Sequence, residues 1–190
     1  RNISFNYTAP YSNNALTKGF TVGAGFNQKR ELPFKTTYQD SLLFYPIDSA
    51  TRARSEFIYK NWHVSAGYTL RRGLFKKHQF NISYNYISIT DSVIDKKYNP
   101  NYFKDPVTSK GIFDINYIQQ YSNVNNGSYP LTGKTWFFGI QKRGLGFTGG
   151  VNMLLLEAGY SLYFDMKKNW FSSIQVNGKL KLPFDQAYIN

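Results

Sequence analysis

The sequence predicts an all-β fold: a transmembrane antiparallel β-barrel with about eight strands present in 190 residues. Three observations predict it. Apolar and polar residues alternate with period two, which puts them on opposite faces of a strand. The alternating runs reach about ten residues, longer than the roughly five or six of a soluble strand and enough for a tilted strand to cross a bilayer. Aromatic residues make up 18% of the chain, with 16 Tyr and 16 Phe, yet mean hydropathy is −0.46. No stretch approaches the ~20 apolar residues of a membrane helix, so aromatic richness and overall polarity are reconciled if only alternate side chains face lipid.

The first run covers Asn2 to Ala9, with Ile3, Phe5 and Tyr7 opposite Asn2, Ser4 and Asn6. Pro10-Tyr11-Ser12-Asn13-Asn14 is turn chemistry. Phe20, Val22, Ala24 and Phe26 then oppose Thr21, Gly23, Gly25 and Asn27, small residues that let a neighbour approach closely. Pro33 to Thr51 reads as a long connection. The third strand sets Trp62, Val64, Ala66, Tyr68 and Leu70 against Asn61, His63, Ser65 and Thr69. After a short turn, the fourth sets Phe80, Ile82, Tyr84 and Tyr86 against Gln79, Asn81, Ser83 and Asn85.

Ile94 to Ser109 is a second long connection. Phe113, Ile115 and Tyr117 mark the fifth strand, and Trp136, Phe138 and Ile140 the sixth. The pattern is longest from Val151 to Pro183, in two runs that meet at Asp165-Met166-Lys167-Lys168-Asn169. Leu154, Leu156, Ala158, Tyr160, Leu162 and Phe164 share one face of the first run. Trp170, Ile174, Val176, Gly178, Leu180 and Leu182 share one face of the second. Long and short connections largely alternate, as in outer-membrane barrels with short periplasmic turns and longer external loops.

Composition narrows the chemistry. Cysteine is absent and there are two histidines, which removes disulfide frameworks and leaves little for a metal site. His63 and His78 lack the Ser and Asp pattern of a triad. Asp91 with Asp95, and Glu157 with Asp165, read as loop and lumen carboxylates rather than an acid–base pair. Gly144-Leu145-Gly146 and Gly149-Gly150 precede no helix, so they read as hairpin glycines rather than a phosphate loop. No catalytic residue, cofactor or metal is expected. Net charge is +12, but the basic residues are scattered over strand ends and loops. They read as a solvated rim or as contacts to lipid phosphates, and no nucleic-acid partner is expected.

The most informative motif is Tyr129-Pro130-Leu131-Thr132-Gly133, where Pro fixes φ and Gly permits positive φ, forcing a tight reversal. With this motif the chain resembles the barrel of the outer-membrane assembly factors, the BamA/TamA family or bacterial surface antigens, which carry an aromatic-Pro-x-x-Gly periplasmic turn in mid-barrel. Pro10-Tyr11 through Lys18-Gly19 is similar to the equivalent turn two hairpins earlier, and 155–190 to the strands before the family's inward-folded Arg-Gly loop. The resemblance spans nearly the whole chain and implies the fourth to eleventh of sixteen strands. The family often has Asp and Arg before the turn, where this chain has Asn123, Asn125 and Asn126. The chain stops at Tyr188-Ile189-Asn190, where the Arg-Gly loop is due, and it starts at Arg1 within a few residues of a strand. Residues 1–190 are therefore expected to be a partial outer-membrane β-barrel domain.

The resemblance implies a protein of the bacterial outer membrane that folds and inserts other barrels, or translocates clients, by offering a strand edge. Its partners would be outer-membrane lipid, client barrel proteins and accessory assembly proteins. Trp62, Trp136 and Trp170 are the expected lipid-facing or interfacial anchors. Two alternatives are a complete small eight-stranded outer-membrane barrel with an adhesive, structural or lipid-modifying role, and a soluble basic β-barrel that binds nucleic acid.

Overall fold

The computed structural model describes residues 1–36, 42–46, 56–94, 102–103, 105–145 and 151–186. In chain order its strands are β1 (Asn2–Ala9), β2 (Lys18–Lys29), β3 (Leu32–Thr36), β4 (Leu42–Tyr45), β5 (Tyr59–Arg72), β6 (Lys76–Ile89), β7 (Ser109–Val124), β8 (Gly133–Arg143), β9 (Val151–Asp165) and β10 (Phe171–Gln186). A short 3-10 turn, Asp91–Val93, follows β6. Eight strands form one antiparallel sheet in the order β1-β2-β5-β6-β7-β8-β9-β10, and β3 pairs with β4 in a separate small sheet. All eight runs read from the sequence are strands of the large sheet. Trp170 lies one residue before β10, in the turn, where its N–H donates to the Lys167 carbonyl at 3.1 Å. The β3–β4 pair occupies the stretch expected to be a long connection from Pro33 to Thr51, starting one residue before it at Leu32. Asp95, Gly146, Gly149, Gly150, Tyr188, Ile189 and Asn190 lie outside the described residues.

The register follows from the alternation. One lateral row runs Ala9, Phe20, Tyr68, Phe80, Tyr117, Ile140, Leu156 and Leu180 across all eight strands. A row of opposite parity runs Asn6, Gly23, Ser65, Ser83, Asp114, Arg143, Met153 and Pro183. A one-residue slip in any strand would swap its faces, so parity fixes pairing throughout the sheet. Strands β2 and β5 to β10 are 11 to 16 residues long.

The sheet order ends at β1 and β10, and among the described residues neither pairs with a further strand. Pro183, which has no N–H to give a ladder, is on the edge strand β10 beside a register shift between Pro183 and Asp185. The accessible area is 12605 Å². A compact monomer of 22.0 kDa exposes about 9,300 Å². The excess fits a sheet whose sides are not packed against a second layer.

Among the described residues, the fully buried apolar side chains gather at one end. Leu32, Ile58, Val93, Tyr102 and Phe103 from the connections pack on Ile87, Ile89, Ile112, Val151 and Met153. Those five sheet residues have the parity of the polar face, so the connections cap that face where β6, β7 and β9 meet them. The short turns 10–17, 73–75, 125–132 and 166–170 all lie at the other end.

Candidate functional site

Strand parity and register leave one broad surface with an unusual relation between chemistry and exposure. On β6, Phe80, Ile82, Tyr84 and Tyr86 are exposed while Gln79, Asn81, Ser83 and Asn85 are half-buried. On β5, Trp62, Val64, Ala66 and Tyr68 are exposed while Asn61, His63, Ser65 and Thr69 are half-buried. A sheet folded in water does the reverse, keeping its apolar face in and its polar face out. Ile82 is 48% exposed and Val176 66%, each within a patch that continues from strand to strand. Contiguous apolar patches of more than a few hundred Å² mark a binding or membrane surface. On the edge strands β1 and β10 nearly every residue of both faces is exposed, because each lacks a neighbour on one side.

Aromatic side chains concentrate at the two margins of this apolar face. Trp62 is 59% exposed, toward the end with the long connections, and its ring lies 4.3 Å from that of Phe26. Trp136 is half-buried at the turn end and stacks on Tyr121 at 5.8 Å and 11°. Phe80 packs beside Tyr117 at 4.8 Å, and Tyr7 beside Phe20 at 5.8 Å. Trp170 is exposed in the β9–β10 turn. The three tryptophans are thus not one cluster: one marks the loop end and two the turn end.

The other face is a polar lattice. His63 Nδ1 lies 3.2 Å from Asn85 Oδ1, which also accepts from Asn61 Nδ2 at 3.5 Å. Asp114 and Arg143, directly opposite each other on β7 and β8, come within 3.9 Å. Sequence reasoning missed this pair because it needs the register: Asp114 and Arg143 share a parity, but nothing local joins them. Asn61 Oδ1, Asp114 Oδ1 and Arg143 Nε are buried without a hydrogen-bond partner among the described residues. Keeping such groups dry costs about 1–3 kcal/mol each, so this face calls for a hydrogen-bonding medium. His78 lies on the apolar face and contacts the Tyr117 hydroxyl at 2.9 Å. Glu157 packs over Gly139, well removed in register from Asp165.

The turn motif is built by its preceding asparagines. Asn125 Oδ1 accepts from the N–H groups of Leu131 and Thr132 at 2.9 and 3.0 Å, and Asn126 Oδ1 from those of Ser128 and Tyr129 at 2.9 and 3.3 Å. Short polar side chains that bond back to nearby backbone hold turns in this way. Asn125 and Asn126 therefore supply the closure of this turn themselves. Gly133 has φ +115°, and an added Cβ would strike the Asn123 carbonyl, so only glycine fits. Tyr129 is exposed and Pro130 half-buried, beside a shallow depression shared with Tyr163 and Phe171. No protein-family model matches the chain, and comparison with characterised proteins finds no match either.

Proposed function

We propose that the chain is part of the wall of a β-barrel in the bacterial outer membrane, its apolar face against lipid and its polar face toward water. The observation that carries this reading is the inverted exposure of β5 and β6, where Trp62, Val64, Phe80 and Ile82 stand out and Asn81, Ser83 and Asn85 are half-covered. An apolar solvent makes such a surface favourable, whereas in water it promotes association. The dimensions agree. Leu154 to Phe164 spans about 33 Å along the strand, which at the usual tilt gives about the 25 Å apolar band of these barrels.

The role we propose for the whole barrel is the folding and insertion of other barrel proteins. Client strands entering lipid need partners for their backbone groups, and an unpaired sheet edge supplies them by strand addition. This role rests on the resemblance carried by Tyr129, Pro130 and Gly133, which assigns these strands to the middle of the wall. Refolding the chain with lipid vesicles and following insertion of a small client barrel tests both parts. The wall reading expects protease-protected β-structure, and the assembly reading expects faster client insertion in its presence. Protection without any effect on the client would leave the wall reading standing and give these strands no part in client insertion. Absence of protection would remove both.

The eight-strand count favours one second reading, a complete small barrel in which β1 pairs with β10. Asn6→Cys and Asn177→Cys, both on the polar face, would then cross-link within one chain. The wall reading expects no intramolecular link.

A further inference from the structure

We propose that the β5–β6 hairpin end is a docking site for the phosphates of anionic lipid headgroups; the inference rests on the membrane reading above. Four cations stand at this end, Arg72 and Lys76 on the parity of the apolar face and Arg71 and Lys77 on that of the polar face, with Arg71 over the Tyr11 ring at 5.2 Å. Arg71 pairs across the ladder with Lys77, and Arg72 with Lys76. Like charges directly opposite each other destabilise a sheet, and among the described residues no carboxylate pairs with any of the four. The nearest hairpin acid, Asp165, accepts from its own turn at Lys167 N, 2.6 Å away. At the opposite end of the sheet, cations do meet acids: Lys110 with Asp105 at 2.8 Å and Arg143 with Asp114 at 3.9 Å. The hairpin end is therefore one-signed, and it calls for an anion from outside.

The surroundings specify a lipid as the source. A depression at this end is lined by Arg71, Lys77, Gln120 and Ser122, all of polar-face parity, and Lys76 joins it from the apolar-face parity at the rim. Its lip is apolar, with Leu74 at the hairpin tip 92% exposed and Phe75 also exposed. Arg72 and Lys76 have the parity of the apolar face, where they extend the columns that run through Tyr68 and Phe80. Along β6 the column changes from Ile82 to Phe80 and His78 to Lys76, and on β5 it passes from Ala66 through Tyr68 and Leu70 to Arg72. The β6 column follows the order in which a bilayer changes from tail to interface to phosphate. A free phosphate or a nucleic acid would satisfy the cations but would leave Leu74 and Phe75 in water.

The test compares the chain with Arg71→Gln/Arg72→Gln/Lys76→Gln/Lys77→Gln, and with a control, Lys179→Gln/Lys181→Gln, that removes charge from the edge strand β10. Each is refolded with phosphatidylcholine vesicles, with and without added phosphatidylglycerol, and bound protein is measured by flotation. All three are expected to enter neutral vesicles, which reports the membrane reading alone. The chain and the control should prefer anionic vesicles, and the fourfold variant should lose about a hundredfold of that preference. An undiminished preference in the fourfold variant overturns the inference while leaving the membrane reading intact. Equal suppression of anionic-vesicle binding by free inorganic phosphate or by single-stranded nucleic acid, at matched ionic strength, also overturns it. Failure of the unaltered chain to enter either vesicle removes the membrane reading and the inference with it.

Discussion

Two sets of apolar side chains in this protein have the same chemistry and opposite fates. In the cap, Val93 and Phe103 are fully buried against Ile112 and Ile87. Across the broad face of the sheet, Val64, Ile82 and Val176 stand exposed. Residue type does not distinguish them; strand parity and the position along the strand do. Ile87 and Ile112 have the parity of the polar face, at the end where connections fold over it. Ile82 and Val64 have the other parity, along a stretch that none of the described residues covers. The difference teaches that one face is completed by protein and the other by its surroundings. On the membrane proposal, those surroundings are lipid.

The comparison yields mutations whose effects should separate by face. The largest effect is expected in the cap. Phe103→Ala should cost about 3–5 kcal/mol, because a fully buried ring leaves a cavity that protein cannot refill. Denaturant titration of the vesicle-bound protein measures it, and a loss below about 1 kcal/mol would mean the cap contributes little. Next is a charge on the exposed face. Ile82→Arg should cost about 2–4 kcal/mol in a bilayer near midplane, while Ser83→Arg, one residue along on the polar face, should be close to neutral. The same titration compares them, and equal costs would erase the distinction between faces.

A smaller effect tests the turn, which belongs to neither set. Gly133→Ala should cost about 1–3 kcal/mol through strain at positive φ, with the clash of the new Cβ on the Asn123 carbonyl adding to it, and Asn125→Ala about 1 kcal/mol through loss of its turn hydrogen bonds. Both should lower the midpoint of urea unfolding without altering which face meets lipid. The smallest expected loss is at Ile82 when it is merely truncated, and it is read against the same truncation in the cap. Ile82→Ala should cost under about 1 kcal/mol in vesicles, since lipid chains fill the vacated space, whereas Ile112→Ala should cost about 2–5 kcal/mol. Similar losses at both positions would contradict the account of two different environments.

The sheet was legible because period two survives in a single sequence. Phe80-Asn81-Ile82-Ser83-Tyr84-Asn85-Tyr86 states both faces of β6 without a neighbour, and the antiparallel register follows from matching such runs. The cap was not legible, because Leu32, Ile58, Val93, Tyr102 and Phe103 lie in connections that have no period. A signal for it was nevertheless present. Ile87 and Ile89, Ile112, and Val151 and Met153 are apolar where the alternation calls for polar side chains, and that lapse marks where the polar face is covered. Arg143 and Asp114 could not be joined before the register was known. The turn asparagines looked like departures from a family pattern, and only the backbone geometry around Gly133 gives them their work.

The most direct measurement of the central claim uses the absence of cysteine from the chain. Single cysteines are introduced at each position from Gln79 to Tyr86 in the vesicle-bound protein and reacted with a water-soluble maleimide. The account predicts that positions 79, 81, 83 and 85 react and that 80, 82, 84 and 86 are protected, in strict alternation. Uniform labelling along β6, or protection on the opposite parity, would contradict it.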